Sequence, residues 1–517
     1  MMKNAAGRMI PDELLTGGRR VYTGGGSPGG LEYTKSGPTV RAAAPSRGSK
    51  VVAGIREAIG LCGIKDGMTV SFHHHFRDGD YIVNMVMGEI AALGIRGITI
   101  AASSLGAAHD PVAKMIEDGV VTGLQTSGIR GRIGEVVSGG KLETPCILRS
   151  HGGRVRAIEM GEVHIDVAFI GAPTSDEYGN ARGKGGKSDC GVLSYAMADA
   201  KYADKVVVIT DTLVPFPNFP PSIEAVDVDY VALVDEIGDP AKIASQATRM
   251  SQDPRDLMLA EGCARVIAAT PYFQDGFSFQ TGAGGPSLAV NRFLEQKMAE
   301  RSITMQWAIG GISQPMVDLL EKGLIKYIVD AQDFDMSAVR SVHAHPRHFE
   351  ISTSQYANPM NKGAFVNKLD FVVLAALEID TRFHVNVVTG SDGVLRGAPG
   401  GHPDAAAGAK CTIITAPLVR GRIPTVCESV VTLTTPGEAV DVLVTDYGIA
   451  VNPLRADLSE ALTRAGIALT TIESLKDKAY AMAGVPDPLT FYDRVVAVVE
   501  ARDGTILDVI RQIKPPA

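Results

Sequence analysis

The chain has 517 residues, more than one hydrophobic core usually organises, so two large domains are expected. Apolar residues make up 45% and charged residues 21%, and the formal net charge of −8 argues against a nucleic-acid partner, because phosphate binding needs a basic face. No apolar run approaches the roughly 20 residues of a membrane helix and nothing near the start has the form of a secretory signal, so a cytoplasmic protein with no membrane partner is expected.

Residues 1–45 are polar and rich in Gly, Pro, Ser and Arg, with no apolar period, and read as a flexible arm. From Val51 helical stretches alternate with short β-branched runs: VVAGIREAIGLCG, then MTVSF, YIVNMVMGEIAALG, ITIAAS, PVAKMIEDG and VVTGLQ. Such alternation predicts βαβ units and a mainly parallel sheet covered by helices on both faces. The six cysteines are scattered without a C-x-x-C pair and read as reduced core residues.

The same order of events then repeats. Asp66-Gly67 leading into MTVSF matches Asp275-Gly276 leading into FSFQT. MIEDGVVTGLQ from Met115 matches LLEKGLIKYIV from Leu319, and IDVAFIGA from Ile165 matches LDFVVLAA from Leu369. GGKSD from Gly185 matches GGHPD from Gly400, and VDVDYVALVDEIGDP from Val226 matches AVDVLVTDYGIAVNP from Ala439. Five blocks in one order with similar spacing indicate duplication. The fold class expected is therefore α/β with two homologous open, mainly parallel-sheet domains, at residues 46–250 and 251–517. Two amphipathic helices after Ala456 and a hairpin turning at Asp503-Gly504 read as a cap on the second domain.

Ligands of open α/β sheets bind beyond the carboxyl ends of the strands. In the second copy that loop is Thr281-Gly282-Ala283-Gly284-Gly285-Pro286, whose glycines and following helix suit an oxyanion. The first-copy counterpart is Ser71-Phe-His-His-His-Phe-Arg-Asp-Gly-Asp80. Adjacent residues of an extended chain face opposite ways, so at most His73 and His75 share a side, and no metal is assigned. His73, His74 and Arg77 are instead candidate donors to an anionic substrate, with Arg77 as a bidentate carboxylate partner. Arg130, Arg154, Lys187, Arg396 and His402 lie in glycine-rich contexts; all except Arg154 join the candidate substrate-binding set. Glu378, at the end of an apolar run, is a candidate general base.

The phrases PTSDEYGNARGKGGKSDCGVLSYA, FQTGAGGPSLAV, EISTSQYANP, ALEIDTRFHVNVVTGSDGVLRGAPGGHPDAAAGA and TIITAPLVRGRIP together resemble the citrate lyase alpha-subunit family of the coenzyme A transferase superfamily. The resemblance starts near Val51, with the first 45 residues contributing nothing to it. It implies an enzyme that exchanges acetate for citrate on the thioester of a gamma acyl-carrier subunit, while a beta subunit cleaves the citryl product. It implies no cofactor bound in this chain, which instead acts on the carrier's phosphoribosyl-dephospho-CoA arm or on acetyl-CoA. Related transferases that form a glutamyl thioester carry a Glu where this chain has Gly310, so the resemblance suggests exchange through a mixed anhydride. Gly282, Gly284 and Gly285 would then stabilise the oxyanion. A citramalate-specific transferase, a thioester hydrolase and a non-catalytic carrier-docking subunit share these features.

Overall fold

The computed structural model describes residues 1–25, 36–37, 48–243 and 250–514. Much of the expected arm, and residues 244–249 just before the expected domain boundary at 250/251, lie outside the described residues. The first large sheet has ten strands in the spatial order Ile506–Ile513, Phe491–Glu500, Cys146–Leu148, Val121–Thr126, Ile98–Ala102, Thr69–Phe72, Val167–Gly171, Lys205–Thr210, Tyr230–Leu233 and Val51–Val52. The second has nine, in the order His348–Glu350, Ile325–Asp333, Met305–Ile312, Phe277–Thr281, Phe371–Ala375, Cys411–Thr415, Val442–Thr445, Gly448–Val451 and Leu469–Thr470.

Seven consecutive strands of one sheet match seven of the other in chain order and in spatial order, from Cys146–Leu148 with His348–Glu350 to Tyr230–Leu233 with Val442–Thr445. All pairings within these sets are parallel. Matching aspartates tie matching strands. Asp166 accepts from the Thr69 N–H (2.7 Å) and Asp370 from the Ser278 N–H (2.8 Å). Asp229 accepts from Val206 (2.8 Å) and Asp441 from Thr412 (2.7 Å). The aspartates at strand starts thus cap the first donors of their neighbours, so the duplication extends to hydrogen bonding. Strands such as Val167–Gly171 and Cys411–Thr415 are buried throughout, which is why they read as continuous apolar runs rather than alternating ones. Val51–Val52, read from sequence as the start of a helix, is an edge strand, because the helix begins only after Gly54 at Ile55. All six cysteines are free, and no helix among the described residues is long and apolar enough to cross a membrane.

Two expectations fail at the ends of the chain. The hairpin Phe491–Glu500 and Ile506–Ile513 belongs to the first sheet rather than capping the second domain: Val498 pairs with Ile147, and Arg149 Nε meets Glu500 Oε2 at 2.6 Å in the interior. The described part of the expected flexible arm is docked onto that hairpin. Buried Asn4 donates to the Ile506 (3.2 Å) and Leu507 (2.8 Å) carbonyls, Tyr22 N–H donates to Ile506 O, and Ile10 packs with Val498 and Ile506. The signals are a few apolar residues with no period, which composition does not separate from loop.

The two copies meet along the carboxyl side of their strands. Ile129 N–H donates to Gly397 O (3.1 Å), Gly400 N–H to Ser127 O (3.2 Å) and His151 N–H to Gly400 O (2.9 Å). Val192 N–H reaches Asp333 Oδ2 at 3.1 Å and Leu193 N–H reaches Glu350 Oε1 at 2.5 Å. Burial and the neighbouring Asp330 push the Asp333 carboxyl well above its usual range, and Asp330 also pairs with His348 Nε2 at 3.0 Å.

Candidate active site

The buried strand Thr69–Phe72 delivers the three histidines, and the extended backbone sends them to alternate sides. His73 and His75 turn into the first domain with parallel rings (6.2 Å, 12°). His73 Nε2 lies 3.0 Å from Asp199 Oδ2, and Arg154 grips the same carboxylate with two nitrogens at 2.9 and 2.6 Å. Burial would raise the Asp199 carboxyl, but Arg154 and then His73 hold it below the ordinary range. His73 is therefore part of an internal ion-pair group and is corrected from substrate donor to structural residue. His75 bonds Gly171 O at 2.9 Å, and burial lowers its pKa to about 4.

His74 takes the opposite side, towards the second copy. Its backbone N–H and ring Nδ1 both meet Ser103 Oγ (2.9 and 2.6 Å), and its ring packs on His151 (5.5 Å) and Tyr195 (4.5 Å). Burial, then the unfavourable charging of His74 beside His151, Arg77 and Arg130, lowers the His74 pKa well below its ordinary value; burial and Arg154 lower His151 to about 3. Arg77 has a left-handed backbone (φ 53°), costly for a side-chain-bearing residue, and sets its guanidinium 4.8 Å over the ring of Phe334 from the second copy. Burial depresses Arg77, Asp78 opposes this, and Arg130 adds repulsion. The Arg77 guanidinium and two neutral imidazoles thus share one crevice, with exposed Arg130 near enough to add positive field, and a polycarboxylate would be welcome there.

The second copy supplies the facing wall. Gln280 Nε2 donates to Tyr356 Oη at 2.8 Å, Tyr195 Oη donates to Gln332 Oε1 at 3.4 Å, and Gln332 Nε2 reaches His74 O at 3.5 Å. Gly310 has φ 107°, and a Cβ there would stand 3.0 Å from Gln280 Cδ, so Gln280 fills the space a side chain at 310 would need. Next to Gln280, the loop 282–285 leads into the helix Gly285–Arg301. Gly282 donates its N–H to Val373 O (2.8 Å), which removes it as an oxyanion donor. Gly284 is the N-cap and Gly285 the first helical residue, with no side chain capping the helix, so the first-turn N–H groups at its positive end have no intrahelical partner.

His402 sits behind this loop with both ring nitrogens engaged, Nδ1 with Thr435 Oγ1 (2.8 Å) and Nε2 with Ala375 O (3.0 Å), and burial lowers it to about 4. It braces the glycine loop, since a Cβ on Gly284 would lie 3.7 Å from that of Ala375. Glu378 is buried and accepts from Asn386 Nδ2 (2.8 Å) and Val431 N–H (2.9 Å), which corrects its reading as a general base. Arg396 is exposed and paired with Asp392, and exposed Lys187 donates to Asp235 O. Neither is brought to the crevice by any contact among the described residues. Sequence reasoning passed over His151, Tyr195, Gln280, Gln332 and Tyr356, none of which belongs to a catalytic motif. The available signal was position near the carboxyl ends of strands, for Gln280 in Phe277–Thr281, Gln332 in Ile325–Asp333 and His151 after Cys146–Leu148.

A family model described as citrate lyase, alpha subunit, matches residues 48–513. The chain is 51% identical over 513 residues to the citrate lyase alpha chain of Klebsiella pneumoniae, covering 99% of each, so the likeness takes in the N-terminal segment as well. It superimposes with a TM-score of 0.96, at 50% identity and over 99% of this chain and 100% of the other, on a citrate lyase alpha subunit from Streptococcus mutans solved in complex with citrate. A malonate decarboxylase alpha subunit from Acinetobacter baumannii shares the fold alone (TM-score 0.62, 14% identity, 85% of this chain and 95% of that one). The two-domain α/β fold, the duplicated sheet and the match along nearly the whole length agree: this chain belongs to the citrate lyase alpha-subunit family.

Proposed function

We propose that the chain exchanges acetate for citrate on an acyl thioester, either on the phosphoribosyl-dephospho-CoA arm of a gamma carrier or on acetyl-CoA, and works beside a beta subunit that cleaves the citryl product. The observation that carries this reading is the placing of Arg77 and His74 of one copy against Phe334 and Gln332 of the other, with Arg130 near enough to repel Arg77. The relative from Streptococcus mutans, solved with citrate, supports the choice of anion.

The chemistry follows from what the crevice holds. Arg77 and Arg130 bind carboxylates of citrate, and one carboxylate attacks the acetyl thioester carbonyl. The N–H groups at the start of the helix Gly285–Arg301 stabilise the tetrahedral oxyanion, a contribution of about 10²–10³ in rate for a single such donor. Thiolate leaves, a citryl–acetyl anhydride remains, and the thiolate reopens it at the citryl carbonyl to give citryl thioester and acetate. No protein nucleophile enters, in keeping with Gly310 and the side chain of Gln280 packed against it. Purified chain given acetyl-CoA and citrate should release acetate and form citryl-CoA in equal amounts. Trapping a hydroxylamine-sensitive glutamyl enzyme would overturn the anhydride route, and acetate release without citrate would favour a hydrolase.

A further inference from the structure

We infer that His151 is a specificity-determining residue, and that its Nε2 recognises the tertiary hydroxyl of the substrate while Arg77 and Arg130 hold carboxylates. This deepens the exchange reading above and rests on it for the place of the substrate. His151 opens the helix His151–Glu159, is partly buried, and is fixed from three sides: its N–H donates to Gly400 O at 2.9 Å, and its ring packs on His74 (5.5 Å) and Tyr195 (4.7 Å). Nδ1 is buried with no partner among the described residues, so Nε2 is the nitrogen able to reach a ligand. It points past Gly400, where a Cβ would come within 3.6 Å of it, and Gly400 itself has φ 53°. Burial beside Arg154 leaves the ring uncharged. A carboxylate only accepts hydrogen bonds and is served by the guanidiniums, whereas a hydroxyl both donates and accepts and so matches a neutral imidazole in either tautomer.

The test uses two acceptors that differ by that hydroxyl: citrate, and tricarballylate, which has the same three carboxylates without it. With acetyl-CoA as donor, wild-type protein should show a kcat/KM ratio well above one in favour of citrate. His151→Phe keeps a ring in the stack and removes both nitrogens; it should shrink the ratio about tenfold, the scale of one hydrogen bond, and His151→Gln should restore part of it. Equal losses on both acceptors, or a wild-type ratio near one, would overturn the assignment. Calorimetric binding of the same two acids gives the ratio without turnover. Discrimination in binding with no exchange would therefore keep the hydroxyl assignment and reject the exchange reading.

Discussion

Ser150 Oγ of the first copy donates to Asp404 Oδ1 of the second at 2.8 Å, deep in the interface. The same carboxylate accepts the Gly152 N–H at 2.8 Å, and Arg502 Nε from the C-terminal hairpin lies 3.7 Å away. Asp404→Ala leaves two donors and a buried guanidinium uncompensated and should cost about 3–5 kcal/mol of unfolding free energy in urea titration. Ser150→Ala, which also removes the N-cap of the helix His151–Glu159, should cost about 1 kcal/mol.

Stability should fall as pH rises across the range set by two interface carboxyls. Burial pushes Asp404 from 3.8 to about 6 and Glu350 from 4.5 to about 7. A raised carboxyl means that the folded state holds its proton longer than the unfolded one. The stabilisation is therefore complete below about pH 4 and is lost as pH climbs through 6 to 7. Glu350→Gln should flatten the melting-temperature profile between pH 5 and 8 and be more stable than wild type at pH 8. Parallel profiles for the two proteins would contradict this.

Arg77→Ala should lower kcat/KM for citrate by about 10–100-fold, the loss expected when a charge-assisted hydrogen-bond partner is removed. Arg396→Ala, which breaks only an exposed pair with Asp392, should leave exchange within a factor of about two. Steady-state rates at varied citrate separate the two cases, and equal effects would show that the crevice has been misplaced.

Gly310→Glu should not create a covalent enzyme. Its Cβ would press on Gln280, and its φ of 107° is strained for any side chain, so the expected result is loss of stability with no borohydride-sensitive acyl adduct by intact mass.

Asn4→Ala should lower the melting temperature, by an amount corresponding to about 1–3 kcal/mol, because the Leu507 carbonyl loses the Asn4 donor and the Ile506 carbonyl keeps only that of Tyr22. No change in thermal unfolding would mean that the N-terminal segment is not coupled to the hairpin.

The sheets were legible because parallel strands buried on both faces are written as unbroken apolar runs, and the duplication because Asp166 and Asp370 keep the same tie to a neighbouring strand. The alternation of His73, His74 and His75 followed from backbone geometry alone. Which side faced the crevice did not, since it depends on Asp199 and Arg154, far off in sequence. Glu378, Arg396 and Lys187 looked functional by residue type, but their partners Asn386, Asp392 and Asp235 decide their roles, and pairing across loops leaves no periodic trace. The C-terminal hairpin was recognised as a hairpin and assigned to the wrong sheet for the same reason: its turn is local, while its partner strand lies more than three hundred residues earlier.

That return of the hairpin has a consequence for synthesis on the ribosome. The strand Cys146–Leu148 emerges early, yet its edge stays uncovered until Phe491–Glu500 has been made, and Asn4 cannot find the Ile506 carbonyl before then. The second copy is translated in between, so it can fold while the first still lacks two strands. The last strands to leave the ribosome therefore close the first domain and clasp its beginning, so the domain translated first is the one completed last.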